Sequence, residues 1–283
     1  MILLLIYVIV INLFSFLLYG WDKQLSRKEK RRIPEKILIL VSLFGGAIGS
    51  LLGMFFWHHK TRKWYFWIWQ IVGILVLCIL GYCLFTYEKN NHYYTAEDFG
   101  ITIIYSDHDE NQNGIDDYTD ILLGARMEAE SHPRYHSAYY AGGYPPETEG
   151  VCTDTVWRAF QNAGYSLKDM VDEDITNHIE LYPRVAGKQD KNIDFRRVKN
   201  LKVFFDRHSE ILTNDITDIS EWMPGDIVIF GKDYSHIAII SDRRNKKGIP
   251  FLIHNAGQLY REEDALEKWD RNSGVVAHYR FVR

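Results

Sequence analysis

Residues 150–165 read G-V-C-T-D-T-V-W-R-A-F-Q-N-A-G-Y. Cys152, Val156, Ala159, Phe160 and Ala163 recur at helical spacing, and Gly164 suits a C-terminal cap. The spacing predicts a helix that begins at Cys152 and turns that thiol toward its buried side. Unpaired backbone N–H groups and the positive end of the helix dipole favour a thiolate there. The same N–H groups suit a developing oxyanion. Taken alone, a small Cys at a helix start is better read as packing.

It does not stand alone. Downstream, Trp222-Met223-Pro224-Gly225 reads as a turn, followed by D-I-V-I-F (226–230), S-H-I-A-I-I-S (235–241) and P-F-L-I-H-N (250–255) as strands. Period-two alternation puts His236 on one face with Ala238 and Ile240. A lone strand His is usually structural, and His278 near the end of the chain is read that way. One Cys at a helix start with two strand-borne His residues, however, supplies a nucleophile, a base and an orienting group. Asn255 competes with His254 for the third role.

The helix-start Cys, W-x-P-G-D-I-V-x-F, H-I-A-I-I-S-D and the I-H pair together resemble the NlpC-type peptidoglycan peptidases, which are papain-like. Y-Y-x-G-G-Y-P, G-V-C-T-D, N-I-D-F-R-R-V-K-N-L and the terminal H-Y-R resemble, more closely still, an uncharacterised bacterial domain family of that fold, over about residues 100–283. The resemblance implies Cys152 as nucleophile, His236 as base and His254 as orienter. The NlpC type usually has Asp directly before the Cys. Here Val151 stands there and Asp154 follows, which leaves the substrate subsite open.

Upstream, Asp109, Asn111, Asn113, Gly114, Asp117 and Asp120 occupy positions 1, 3, 5, 6, 9 and 12 of a calcium loop. Asn at two ligand positions and Asp at the last weaken the match. The alternative is an Asx-rich turn capping a helix over 117–130. The aromatic, Gly/Pro-rich stretch 135–146 reads as an irregular loop, with Tyr140 and Tyr144 as candidate site-lining residues. Arg196 and Arg197 offer planar donors for a substrate carboxylate, or pair internally with Asp190 or Asp194. Asp154, Tyr140, Tyr144, Arg196 and Arg197 form the expected substrate-binding set.

At the other end of the chain, residues 2–21, 37–57 and 64–87 carry no Asp, Glu, Lys or Arg. Each is long enough for a hydrocarbon layer of ~30 Å at ~1.5 Å per residue. Residues 1–87 hold ten Lys/Arg against three Asp/Glu, a net of +7; the remainder holds 23 against 34, a net of −11. An acidic domain without a basic stripe argues against nucleic-acid binding. Cys78 and Cys83 lie in the third apolar run as packing residues, leaving Cys152 without an intradomain disulfide partner. Both hydrophilic loops, 22–36 and 58–63, are basic and favour the cytoplasm, which three full crossings do not permit. Gly45, Gly46, Gly49 and Gly53 let the second run fold back as a re-entrant hairpin, or pack closely as small residues do. The strings D-K…R-I-P-E, G-G-x-x-G and H-K-T-R-K resemble a small bacterial membrane family of unknown function over about the first 85 residues.

The expectation is an α+β papain-like hydrolase domain (101–283), joined by a linker (88–100) to an all-α membrane module (1–87). It would be a multi-pass protein of the bacterial membrane with its hydrolase outside, cleaving an amide bond in peptidoglycan. No redox or nucleotide cofactor is expected, only a structural calcium. The rivals are a cytoplasmic thiol hydrolase or acyltransferase, and a catalytically silent wall-binding or sensor module.

Overall fold

A computed structural model describes residues 2–282; Met1 and Arg283, at the ends of the two expected domains, lie outside the described residues. The chain divides into two units, Met1–Glu88 and Lys89–Arg283.

In the first unit, three helical segments among the described residues are long and apolar enough to cross a membrane: Leu5–Arg27, Glu35–Phe56 and Trp64–Glu88. The outer two lie within the long helices α1 (Ile2–Arg27) and α4 (Trp64–Asn91). The middle segment is not straight. It breaks into α2 (Glu35–Val41) and α3 (Ala47–Phe56) at Gly45, whose φ of 106° lies in the left-handed region that glycine adopts freely. A straight helix would hold Ser42 and Ser50 ~12 Å apart, yet their hydroxyls hydrogen-bond at 2.6 Å. Both ends of the segment also meet Asp22, which accepts from the Ile33 N–H at 2.9 Å and lies 2.7 Å from His59 Nε2. Glu35, at the start of α2, pairs with Lys60, beyond the end of α3, at 2.7 Å. Residues 35–56 are therefore a helical hairpin whose arms, ~11 and ~15 Å long, are each too short to span a bilayer. Gly49 permits the close packing of α3 on α1, since a Cβ there would fall 1.9 Å from the Asn12 carbonyl oxygen.

The second unit is α+β. Its antiparallel sheet has the order β3-β8-β4-β5-β6-β7, with β3 Ser209–Ile211, β4 Ile227–Phe230, β5 His236–Arg244, β6 Pro250–Ile253, β7 Glu262–Glu263 and β8 Val275–Phe281. Alternation along the strands builds two cores. Ile227, Ile229, Ile237, Ile239 and Ile253 face the helices α5 (Asp117–Ser131), α6 (Cys152–Asn162), α7 (Leu167–Asn177) and α8 (Val198–His208). Val228, Phe230, Ala238, Ile240 and Leu252 form the opposite core with Trp222 and Leu266, and Trp269 of α9 (Leu266–Ser273) packs against it. A short parallel pair, β1 (Arg134–Tyr135) with β2 (Glu149–Gly150), leads into α6.

The expected linker 88–100 is not a free tether. Helix α4 runs to Asn91, and Tyr94 exchanges backbone hydrogen bonds with Arg244 at 2.8 and 2.7 Å. The W-M-P-G-D turn is fixed by Asp226, which accepts two bonds from Arg280 at 2.8 and 2.9 Å and one from the Met223 N–H at 2.8 Å. His278, fully buried, lies 3.1 Å from Asp226 and stacks on Trp222 at 3.8 Å, so these motif residues hold the sheet together.

Candidate active site

Helix α6 begins at Cys152 as its spacing predicts. Its start is anchored by Asp154, which accepts from the Val151 N–H at 2.8 Å, the Trp157 indole at 2.8 Å and Arg196 through Nε and Nη2 at 2.7 and 2.8 Å. The thiol lies against the backbone N–H groups of Ile237, Thr153 and its own residue. Ile237 directly follows His236, so β5 delivers its first residue beside the helix start. No hydrogen bond joins the thiol to the His236 ring among the described residues.

His236 and His254 are 5% and 1% exposed, and their rings meet at 2.9 Å between His236 Nε2 and His254 Nδ1. Trp269 stacks on His236 at 4.1 Å with ring planes 8° apart and stands edge-on to His254 at 5.6 Å. The sandwich fixes the His236 ring and leaves Nδ1 as the nitrogen not engaged with His254. Asn255 does not share this site: its amide donates to the Pro133 and Gly150 carbonyls at 3.3 and 3.2 Å and ties the β1–β2 pair to the end of β6.

Burial dominates the electrostatics. The helix start was expected to lower the Cys152 pKa; instead, burial pushes it up to about 11, against the lowering effect of the nearby N–H groups. Burial and then the neighbouring His254 push His236 down to about 2. The resting pair is a neutral thiol and a neutral imidazole across the physiological range.

The expected substrate-binding residues separate. Asp154 is fully buried and held by Arg196, itself 6% exposed, whose Nη1 donates to the Ala138 carbonyl at 2.9 Å. The two spend these polar atoms on each other and on nearby backbone, and the pair positions α6. Arg197 bonds Asp194 at 2.9 Å, the internal pairing. Tyr140 donates to Glu149 at 2.8 Å under the Arg196 guanidinium, and Tyr144 packs on Trp157 and Phe195 at 4.7 and 5.4 Å with 44% exposure. In the 109–120 loop, Asp109 accepts from the Asn113 and Gly114 N–H groups at 3.1 and 2.8 Å. The Asn111 and Asn113 amides donate to Asp120 at 2.7 and 2.9 Å. Asp117 faces inward, accepting from the Glu110 N–H at 2.9 Å and the Tyr165 hydroxyl at 2.5 Å, so it does not join the loop oxygens as a ligand.

Sequence reading missed several residues at this site. Trp269 and Glu263 come from segments without a motif, and only the β6–β7 register and the α9 packing bring them to the histidines. Tyr135 lies near enough to Cys152 for the two to interact electrostatically, and burial followed by that interaction raises its hydroxyl pKa.

Residues 122–281 match the family described as "Domain of unknown function (DUF1287)", and residues 12–66 match "Protein of unknown function (DUF1294)". The chain is 37% identical over 169 residues to the uncharacterized protein YijF of Escherichia coli (strain K12), covering 57% of this chain and 80% of that protein. It is 41% identical over 56 residues to the uncharacterized protein YsdA of Bacillus subtilis (strain 168), covering 20% of this chain and 63% of that one. No solved structure matches it. The two matches fall on the two structural units, and the larger shows that the chain belongs to the DUF1287 family.

Proposed function

We propose that the protein is a membrane-anchored cysteine hydrolase of NlpC-like, papain-type fold that cleaves an amide bond in peptidoglycan, as a stem-peptide endopeptidase or an amidase. The observation that carries the reading is a thiol at a helix start set against the backbone N–H of Ile237, the residue that follows His236, whose own ring lies 2.9 Å from the His254 imidazole. Because both reacting groups rest neutral, proton transfer accompanies attack. Cys152 Sγ bonds to the carbonyl carbon as its proton passes to His236 Nδ1, and the helix-start N–H groups stabilise the oxyanion. His236 returns the proton to the leaving amine as the C–N bond breaks. Water then attacks the thioester carbonyl, giving its proton to His236; the C–S bond breaks, the carboxylic acid leaves, and His236 returns the proton to Cys152 Sγ.

The hairpin supports an outward-facing hydrolase. With residues 35–56 turning back, both basic loops lie at one end of the helices, which the positive-inside tendency assigns to the cytoplasm. Helix α4 then carries the chain to the wall side. A structural calcium on the 109–120 loop belongs to this reading, held by Asp109 and Asp120 with the amide oxygens of Asn111 and Asn113, which would first give up the Asn113 and Ile115 N–H groups they accept from. A second reading, a silent wall-binding module, is favoured by the burial of the thiol and its lack of a bond to His236. Mass spectrometry of wall fragments incubated with the full-length protein in detergent separates the two. New amine and carboxyl ends are expected with the native chain and not with Cys152→Ser; intact fragments in both favour the silent module.

A further inference from the structure

The neighbours of His254 bear on which of its ring nitrogens carries the proton. Its Nε2 lies 3.4 Å from Glu263 Oε1 and 3.2 Å from the Gln258 amide nitrogen. A carboxylate accepts only and needs a proton on Nε2, whereas the Gln258 nitrogen, also 3.5 Å from Nδ1, lies over the ring rather than on the Nε2 lone pair and leaves the choice to Glu263. The Gln258 amide is held there by two further bonds. Its oxygen accepts from the Ala256 N–H at 2.8 Å, and its nitrogen donates to the His254 carbonyl at 2.9 Å.

The choice propagates. With the proton on His254 Nε2, Nδ1 accepts from His236 Nε2–H across the 2.9 Å contact, and His236 Nδ1 keeps its lone pair. With the proton on His254 Nδ1, the contact reverses, His236 carries its proton on Nδ1, and it has no lone pair there to take a proton. Only the first arrangement makes His236 a base at Nδ1.

We infer that Glu263 is a positioning residue that sets this relay, holding the proton on His254 Nε2 and thereby freeing His236 Nδ1 to accept the thiol proton. The backbone register supports the role: β7 pairs Glu263 with Leu252, whose side chain faces the same core as Trp269, on the side where the two rings sit. Glu262, the next residue back, pairs instead with Arg126 at 2.8 Å. Two adjacent glutamates thus serve different partners, and only Glu263 meets the imidazoles.

The assignment rests on the hydrolase proposal for its kinetic consequence, whereas the tautomers are measurable without it. The full-length chain, labelled with 15N in its histidine rings and held in detergent, gives the protonation of each ring nitrogen by long-range proton–nitrogen NMR at pH 7. His236→Ala and His254→Ala spectra assign the signals. The native protein is expected to show His236 and His254 both protonated on Nε2. Glu263→Gln, nearly isosteric but uncharged, is expected to shift both toward the Nδ1–H form, and Glu263→Asp to retain most of the native signature. On a cleavable substrate, Glu263→Gln is expected to lower kcat by about 10²-fold or more with KM within about twofold, as loss of an orienting group does. A native His236 already protonated on Nδ1, or tautomers unmoved by Glu263→Gln, overturns the assignment whether or not wall peptide is cut. Unmoved tautomers in a protein that also cleaves nothing defeat both proposals; moved tautomers without cleavage defeat the hydrolase reading alone.

Discussion

Cys152 and His236 differ from a preformed thiolate–imidazolium pair because the site is dry. A thiol pushed up to about 11 should react slowly with iodoacetamide at pH 7, and its alkylation rate should climb past the ordinary value of 9.0. Mass-spectrometric rates across pH check this; half-maximal alkylation below pH 8 contradicts it. The same burial links the pair to stability. Folded His236 stays neutral down to about 2, whereas in the unfolded chain it takes a proton near 6.5. The unfolded state therefore binds more protons between those values, so this contribution is complete above pH 6.5 and is lost as pH falls. His236→Phe should lose less stability between pH 8 and pH 5 than the native chain, measured by denaturant midpoints; equal losses contradict the assignment. At this scale the sequence located the helix-start thiol and the two histidines but not their electrostatic state, because helical spacing locates a thiol without saying how much protein covers it. The burial of the Asp154–Arg196 pair was hidden for a related reason, since a buried pair and a ligand clamp use the same residue types.

Among the elements, helix α6 decides the site's geometry, and the Asp154–Arg196 pair decides where α6 begins. Asp154→Ala leaves the Arg196 guanidinium buried without its partner, at a cost of about 3–5 kcal/mol. The melting temperature of the second unit should fall by roughly 10 °C, with Arg196→Met in the same chain recovering part of the loss. A change below 2 °C would contradict the anchoring role. For the 109–120 loop, millimolar calcium should raise the melting temperature relative to chelator by mass action, and Asp120→Ala should abolish the increment. An unchanged melting curve leaves the Asx-turn arrangement alone. The strands carrying His236 and His254 were legible because alternation and β-branched runs are local signals. Strand β7 was not, since two glutamates become a strand only through pairing with β6.

On the scale of the whole molecule, the division into an apolar, basic helical unit and an acidic second unit was written in charge and hydropathy alone. The hairpin was foreshadowed by the glycines of the second run, but its direction depended on tertiary contacts at Asp22, which no local pattern contains. A periplasmic-type reporter fused after Asn91 should be active, and a cytoplasmic reporter at the same point silent; the reverse result places the second unit inside and removes peptidoglycan as its substrate. Whether Cys152 is an acyl-accepting nucleophile can be read by intact-protein mass spectrometry after acid quench of the full-length chain mixed with wall peptides. An added acyl mass is expected that maps to Cys152 and is absent from Cys152→Ala. Cleavage that persists in Cys152→Ala, or an acyl group mapping to another residue, would contradict it.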